Sequence, residues 1–450
     1  MKQNVNLLEG PIFPNLTKLA VPIMATSLVQ MAYNMIDMIW IGRIGSGAVA
    51  AVGAAGMYMW LSNGLSTLSK MGGQIKVGQS LGAANKKEAG EYATSAIQLA
   101  LIYGFLLSVV IMLMANPFIR FLGLNGSKTI QDGVVYLRIV SVGILFSFIN
   151  QVLTGIFTAM GNSRISFRAT AVGLVINIVL DPVLIFGCGP IPALGVAGAA
   201  IATVVAQAVV TVMFLVVCKK DQLLFPSIKV ISKPNTKDMA QITKIGLPVS
   251  IQSMMFTAIS MIISRLIAGF GDEAVAVQKV GSQIESITWM TAEGFSAAVN
   301  SFIAQNYGAG NHERIRKGYR ISMFVVIGWG IFCTILLVFL PGPIFRIFIT
   351  EEAVLPMGID YLRILGYSQL FMCMEITTQG AFGGMGRTIP PSIVGIPLTI
   401  ARIPMAMVLS ATVIGLNGIW WSISISSILK GIVLVAWFVY FLGKYEKHPM

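Results

Sequence analysis

The sequence predicts an all-α membrane protein of twelve transmembrane helices, arranged as two parallel repeats of six helices. Its composition excludes an ordinary soluble domain, because 56% of the 450 residues are hydrophobic and only 11% are charged, against about 25% charged residues in soluble domains. Two further observations, the distribution of basic residues and an internal duplication, indicate how the helices are arranged.

Apolar segments recur along the whole chain, and each is long enough to cross the roughly 30 Å core of a bilayer as a helix. We therefore expect a multi-pass protein of the cytoplasmic (inner) membrane. To within about four residues, the twelve spans are expected at 15–41, 47–76, 88–115, 133–158, 165–187, 194–217, 240–268, 275–304, 318–340, 356–384, 389–411 and 416–442.

Basic residues fall mainly on one side of the predicted membrane. With the amino terminus inside, 21 of the 31 Lys and Arg residues occupy cytoplasmic ends and loops and eight occupy outer ones, while Arg402 and Lys430 lie mid-span. The positive-inside rule therefore predicts both termini in the cytoplasm. The same distribution accounts for the net charge of +13 without nucleic acid as a partner.

The second half of the chain repeats the first. The segment KLAVP at 18–22 returns as KIGLP at 244–248, an offset of 226 residues. The offset drifts by only a few residues over the later matches, which pair Gln79 with Gln305, Gly82 with Gly308, Asn85 with Asn311, Tyr136 with Tyr361, Arg138 with Arg363, Gly161 with Gly386, Pro182 with Pro404 and Gly195 with Gly415. Because each copy holds an even number of spans, we expect parallel repeats related by an axis along the membrane normal.

The duplication predicts three parts of the chain. We expect an amino-terminal lobe at 1–218 with spans 1 to 6, a basic cytoplasmic linker at 219–237, and a carboxy-terminal lobe at 238–450 with spans 7 to 12. In such an architecture the substrate path runs between the two halves, which move against each other in alternating access.

Ionisable residues within spans are costly, and they are functional candidates by default. In the first half, Asp37 and Asp181 lie at similar depth, Asn177 precedes Asp181 by one helical turn, and Thr203 reaches a comparable level. Two nearby carboxylates in a low dielectric can hold a proton at neutral pH and release it when hydrated, and the same oxygens could ligate Na⁺. The alternative is that each acid only bonds neighbouring helices.

The repeat comparison assigns these acids to one half only. The counterparts of Asp37 and Asp181 in the second half are Ile263 and Ile403. The acids are therefore not a feature of the duplicated scaffold.

The second half carries its own charges within spans. The acids are Glu285, Glu293 and Glu375, and the bases are Arg402 and Lys430. Acids and bases together suggest a network of ion pairs that lowers the cost of burial. A role in cation binding or gating is the alternative.

These features together resemble the multidrug and toxic compound extrusion (MATE) transporters of the MOP superfamily, over nearly the whole chain. Four motifs carry the resemblance: Pro22 with Asp37 and GRIG at 42–45, GQSLGA at 78–83, its echo AQNYGA at 304–309, and NIVLDP at 177–182.

The resemblance implies two lobes around a central cavity and export of lipophilic, often cationic compounds in exchange for H⁺ or Na⁺. The set Asp37, Asn177, Asp181 and Thr203 is similar to the cation site of the DinF-like branch. Further residues expected at the cavity are Tyr33, Tyr136, Glu285, Glu293 and Glu375. The expected partners are a small amphiphilic substrate and the bilayer, with no cofactor besides the coupling ion, and we expect a monomer.

Other classes fit the sequence less well. A flippase for lipid-linked or other amphiphiles, from the same superfamily, is the nearest alternative. A major-facilitator transporter would usually carry a basic, Gly- and Asp-containing signature between spans 2 and 3, which is missing. Neither His312 nor His448 lies within a predicted span, which argues against an intramembrane enzyme.

Overall fold

The computed structural model describes residues 5–122, 126–221, 224–348, 352 and 354–447. This part of the chain is helical throughout, and its β-structure is limited to one isolated bridge between Cys188 and Ile191. A short 3₁₀ helix covers Phe225–Ser227. The α-helices are α1 Ile12–Gly42, α2 Ser46–Gly82, α3 Lys86–Phe121, α4 Ser127–Ala159, α5 Ser163–Phe186, α6 Val196–Lys220, α7 Thr236–Ala268, α8 Asp272–Gly308, α9 His312–Phe339, α10 Pro341–Arg346, α11 Leu355–Gly366, α12 Gln369–Gly384, α13 Ile389–Ile400, α14 Arg402–Ser410 and α15 Leu416–Lys447.

These helices account for the twelve predicted spans. In the described residues, nine segments are long and apolar enough to cross a membrane, with α13 and α14 counted as one. Helices α2 and α8, of 37 residues each, are longer still but richer in polar side chains. Helices α11 and α12 together form the remaining span, and α10 is a short extra helix. The predicted all-α membrane fold is confirmed.

Two of the predicted spans are interrupted rather than continuous. Between α11 and α12, the hydroxyl of Ser368 and the side-chain amide of Gln369 both donate to the carbonyl of Leu365, so side chains compete there for a backbone acceptor. The break between α13 and α14 falls at Ala401, with Pro397 inside α13 and Pro404 inside α14. Pro404 has no backbone N–H to donate, which explains an interruption close to it.

The chain packs into two compact units, and the boundary between them falls inside two helices. One unit holds Val5 and Ala25–Ser250, and the other holds Asn6–Met24 and Ile251 onward. Helix α1 thus changes unit after Met24 and α7 after Ser250, each two residues beyond a proline, Pro22 and Pro248. The lobe boundaries predicted at residues 218 and 238 follow the repeats instead, and they stay a prediction.

In the first unit, α4 packs against α2, α3 and α6, and α5 packs against α6. The core between them includes Ile144, Phe148, Ile156 and Phe157, all of which are buried. The first part of α7 also belongs here. A Cβ atom on Gly246 would collide with the carbonyl oxygen of Leu68, so α7 and α2 meet backbone to backbone.

In the second unit, α12 packs against α8, α9 and α15, and α14 packs against α15. The segment before α1 is held in this unit by Arg314, whose guanidinium donates to the carbonyls of Leu7, Glu9 and Gly10. The side-chain amide of Asn306 also donates to the carbonyl of Leu7 at 3.1 Å. Four hydrogen bonds therefore fix the chain immediately before the first span.

Candidate functional site

Two helices of the first unit, α1 and α5, bring the predicted acids together. Asn177 and Asp181 lie one turn apart on α5, and the side-chain amide of Asn177 donates to Oδ1 of Asp181 at 3.2 Å. Asp37, on α1, is close enough for its charge to act on Asp181. Asn177 and Asp181 are buried, and only 8% of Asp37 is exposed. Two acids therefore share one buried pocket.

Two tyrosines border the same acids. The hydroxyl of Tyr33 donates to Oγ1 of Thr203 at 3.0 Å, which links α1 to α6. Tyr136, on α4, is buried, and Asp37 and Thr203 are among its electrostatic neighbours. The structure thus groups all six residues that the sequence indicated for the first half: Tyr33, Asp37, Tyr136, Asn177, Asp181 and Thr203.

Three oxygen atoms in this pocket lack a hydrogen-bond partner among the described residues. They are Oδ1 of Asp37, Oδ1 of Asn177 and Oδ2 of Asp181. Buried polar atoms without a partner are rare, because each one forfeits the solvation that it would have in water. Oxygen atoms of carboxylates and amides are suitable acceptors for a proton or ligands for a hard cation. The three oxygens therefore fit a proton on one of the carboxylates or a hard cation.

The second unit neutralises its buried charges internally. The Nζ atom of Lys430, on α15, lies 3.2 Å from Oε1 of Glu375, on α12, and both side chains are less than a tenth exposed. The same carboxylate oxygen accepts a hydrogen bond of 2.9 Å from Gln379. The ion pair lowers the cost of burying either charge.

Arg402 and Glu285 extend this network. The guanidinium of Arg402 donates to the hydroxyls of Ser426 and Ser427 at 3.0 and 3.1 Å, and the charges of Glu375 and Glu285 act on it. Glu285, on α8, accepts hydrogen bonds from Gln369 at 3.1 Å and from Tyr361 at 3.4 Å. The two acids and two bases therefore balance one another. Glu293, also on α8, has an exposed side chain and thus a different setting.

Several members of these networks were not singled out from the sequence. In the second unit they are Tyr361, Gln369, Gln379, Ser426 and Ser427. Tyr361 had a usable signal, because it is the repeat counterpart of Tyr136. The others are uncharged polar residues in apolar helices, and their partners lie on other helices, which spacing along one helix does not reveal.

The repeat also relates the ion pair to a neutral link in the first unit. At the offset of 225 that joins Tyr136 to Tyr361, the counterpart of Glu375 is Asn150. Asn150 joins α4 to α6 through Gln207, with Nδ2 and Oε1 3.0 Å apart. The equivalent helix pairs are therefore cross-linked from the same position of α4 and α12, by amides in one unit and by charges in the other.

Comparison with known proteins identifies the family. The model of the MatE family matches residues 22–183 and again 248–408. The chain belongs to the MatE family. The two matches begin at Pro22 and Pro248, the residues that end the duplicated segments 18–22 and 244–248, so the family unit is the internal repeat. Members of this family are transporters and not enzymes, and this MatE protein is a multi-pass membrane protein.

Similar proteins cover nearly the full length of this MatE chain. The probable multidrug resistance protein NorM of Thermotoga maritima is 28% identical over 97% of this chain and 93% of its own. The FAD transporter of Shewanella oneidensis is 24% identical over 96% of this chain and 95% of its own. The solved structure of a MOP superfamily transporter from Pyrococcus furiosus superposes with a TM-score of 0.91 at 23% identity, over 99% of both chains.

Proposed function

We propose that this MatE protein is an antiporter that exports lipophilic, often cationic small molecules by alternating access, in exchange for H⁺ or Na⁺. The observation that carries the proposal is the buried pocket of the first unit, where Asp37, Asn177 and Asp181 each present an oxygen without a partner among the described residues. The second unit offers no comparable set in its described network, because Lys430 and Arg402 balance its acids.

The mechanism follows from the chemistry of these oxygens. A cation bound between Asp37 and Asp181 neutralises the repulsion between these two carboxylates. When the cation leaves, the negative charge returns and attracts a cationic substrate. Exchange then results from one set of oxygens that prefers different partners in different conformations, which is the differential affinity that a ligand-driven change requires.

Helix α5 connects the pocket to a conformational change. Pro182 directly follows Asp181, so the helix lacks one backbone hydrogen bond beside the carboxylate. Asn177 already donates to Asp181, and protonation or cation binding changes what Asp181 can accept. We propose that this change bends α5 near Pro182 and that α1, which carries Asp37, moves with it.

The substrate class is inferred from relatives. NorM of Thermotoga maritima carries the name of a probable multidrug resistance protein, which supports export of varied lipophilic compounds. Residues expected to contact the substrate are Tyr33, Tyr136, Glu285, Glu293 and Glu375. We further propose that the protein acts as a monomer in the inner membrane, with both termini in the cytoplasm.

A second candidate is transport of an anionic amphiphile such as a flavin nucleotide. The relative named as an FAD transporter supports it, and the guanidinium of Arg402 is the buried group best suited to a phosphate. This candidate is similar to the flippase alternative, because a flavin nucleotide and a lipid-linked amphiphile both combine a charged group with an apolar part.

Transport by the purified protein in proteoliposomes tests both candidates. We expect efflux of ethidium, a lipophilic cation, when either a pH gradient or a Na⁺ gradient is imposed separately, and no efflux with neither gradient. Movement of FAD but not of ethidium would favour the second candidate. Ethidium efflux that responds to neither gradient would contradict the antiporter proposal.

A further inference from the structure

A line of three polar side chains runs along α6. Between Val196 and Val217 the helix is apolar except for Thr203, Gln207 and Thr211, which follow one another at intervals of four residues. Residues at this spacing lie on one face, about 6 Å apart along the axis. In the predicted orientation α6 runs toward the cytoplasm, so the line leads inward from the acidic pocket that Thr203 borders.

The second half of the chain lacks this line. At the offset of 220 that joins Gly195 to Gly415, Thr203 corresponds to Ile423 and Thr211 to Gly431, and only Gln207 has a polar counterpart, Ser427. The hydroxyls of Thr203 and Thr211 are therefore not part of the duplicated scaffold. They occur in the same half as Asp37 and Asp181.

Asn150, on α4, closes the lower part of the line. Its Nδ2 atom donates to both Oε1 and the backbone carbonyl of Gln207 at 3.0 Å, and its Oδ1 atom accepts from the hydroxyl of Thr211 at 2.8 Å. Thr211 Oγ1 also lies 3.0 Å from the carbonyl of Gln207. The oxygens of Gln207 and Thr211 are thus engaged, whereas the pocket above them holds oxygens without partners among the described residues.

We propose that this line of oxygens is the route by which the coupling cation leaves the pocket toward the cytoplasm, with Asn150 as its gate. The inference rests on the proposed antiport, which requires that a cation taken up outside be released inside. A hydrated proton or Na⁺ crosses an apolar helix bundle only where oxygens replace its water. The line supplies such oxygens at each turn below Thr203, and the Asn150 bonds must open for a cation to pass.

Thr211→Val tests the route, because valine keeps the shape and removes the hydroxyl. We expect cation binding to the pocket to stay within about twofold of wild type, measured in detergent as cation-dependent displacement of bound ethidium. Gradient-driven ethidium exchange in proteoliposomes should fall about tenfold or more, since one step of the route is lost. Thr211→Ser should restore exchange. Gln207→Met, which removes Oε1 at similar length, serves as a second variant.

Thr158→Val is the matched control. Thr158 is a buried residue of the same unit whose hydroxyl donates to the carbonyl four residues before it, as the hydroxyl of Thr211 does, whereas the hydrogen bonds of Asn150 join it to Gln207 and Thr211. We expect wild-type exchange from this control. Wild-type exchange by both Thr211→Val and Gln207→Met would overturn the route, as would an equal loss of cation binding and exchange. Failure of wild-type protein to exchange ethidium under either gradient would instead overturn the antiport itself.

Discussion

At the scale of single residues, the two halves treat buried charge in opposite ways. In the second unit the charges of Lys430 and Arg402 balance those of Glu375 and Glu285, so these four groups need no added ion for neutrality. In the first unit no base is among the groups that act on Asp181 within the described residues. Under the proposed function, this pocket is therefore the one that takes up a cation from outside the protein.

The ion pair between Glu375 and Lys430 predicts a specific pattern of stability. Glu375→Gln or Lys430→Met alone leaves one buried charge without its partner, which should cost about 3–5 kcal/mol. The double variant removes both charges and leaves Arg402 opposite Glu285, so most of the loss should be recovered. The stability of the three variants is measured by heating each protein and recording the fraction that remains folded by size-exclusion chromatography. A double variant no more stable than the worse single variant would contradict a structural pair.

Arg402→Ala should lower the yield of folded protein, because it leaves the buried Glu285 without a balancing charge.

Contacts between residues could be predicted from the sequence where both residues lie on the same helix. The spacing of Asn177 and Asp181 placed both on one face of α5, and the structure shows them bonded. The partner of Glu375 was beyond such reasoning, because Lys430 lies on a different helix and several acids and bases were available. The repeat comparison narrows that choice, since Asn150 and Gln207 join the equivalent helices.

At the scale of elements, the divided helices α1 and α7 are the main difference from the predicted arrangement of spans. Their lengths and positions were predicted from apolar segments, but a hydropathy pattern does not show with which unit each part packs. The packing has a sequence correlate in Gly246, which permits the close approach of α7 to Leu68. The interruption between α11 and α12 was also not predicted, because it depends on side-chain donors to Leu365.

The segment before α1 should loosen when Arg314 is replaced. Arg314→Met removes three donors to the carbonyls of Leu7, Glu9 and Gly10 and keeps an apolar side chain of similar length. We expect faster amide hydrogen exchange across residues 6–10, measured by mass spectrometry. Lys317→Met is the control, because Lys317 lies on the same helix and its ion pair with Glu313 is exposed to solvent. Equal exchange in the two variants would show that Arg314 does not hold the segment.

At the scale of the whole molecule, the duplication was the most informative feature of the sequence. It predicted two six-helix copies, and the two matches of the MatE family begin at the same repeated proline. The fold was predictable because apolar length and internal repetition are properties of the sequence itself. The substrate and the coupling ion were not, because both depend on side chains of several helices and on small differences in oxygen geometry.

The orientation in the membrane has its own test. We predict that the linker at 219–237 faces the cytoplasm, because it is rich in basic residues. Lys229→Cys, in a background without the native cysteines, should resist a membrane-impermeant maleimide in intact cells and react after permeabilisation. Cys188 of the wild-type protein, which is exposed and precedes α6 at the opposite end from the linker, should react in intact cells. Labelling of Lys229→Cys in intact cells would reverse the predicted orientation.

The central claim is that coupling depends on the acids of the first unit, and exchange by Asp37→Asn and Asp181→Asn tests it most directly. Each variant keeps the shape of its side chain, so we expect folded protein at wild-type levels. Gradient-driven ethidium exchange in proteoliposomes should be lost in both variants. In each variant the pocket keeps only one carboxylate, so it can no longer alternate between a free pair of carboxylates and a pair with a bound cation. Asp132→Asn, at the start of α4 in the same unit, should exchange at the wild-type rate. Wild-type exchange by both Asp37→Asn and Asp181→Asn would contradict the account and transfer the coupling role to the glutamates of the second unit.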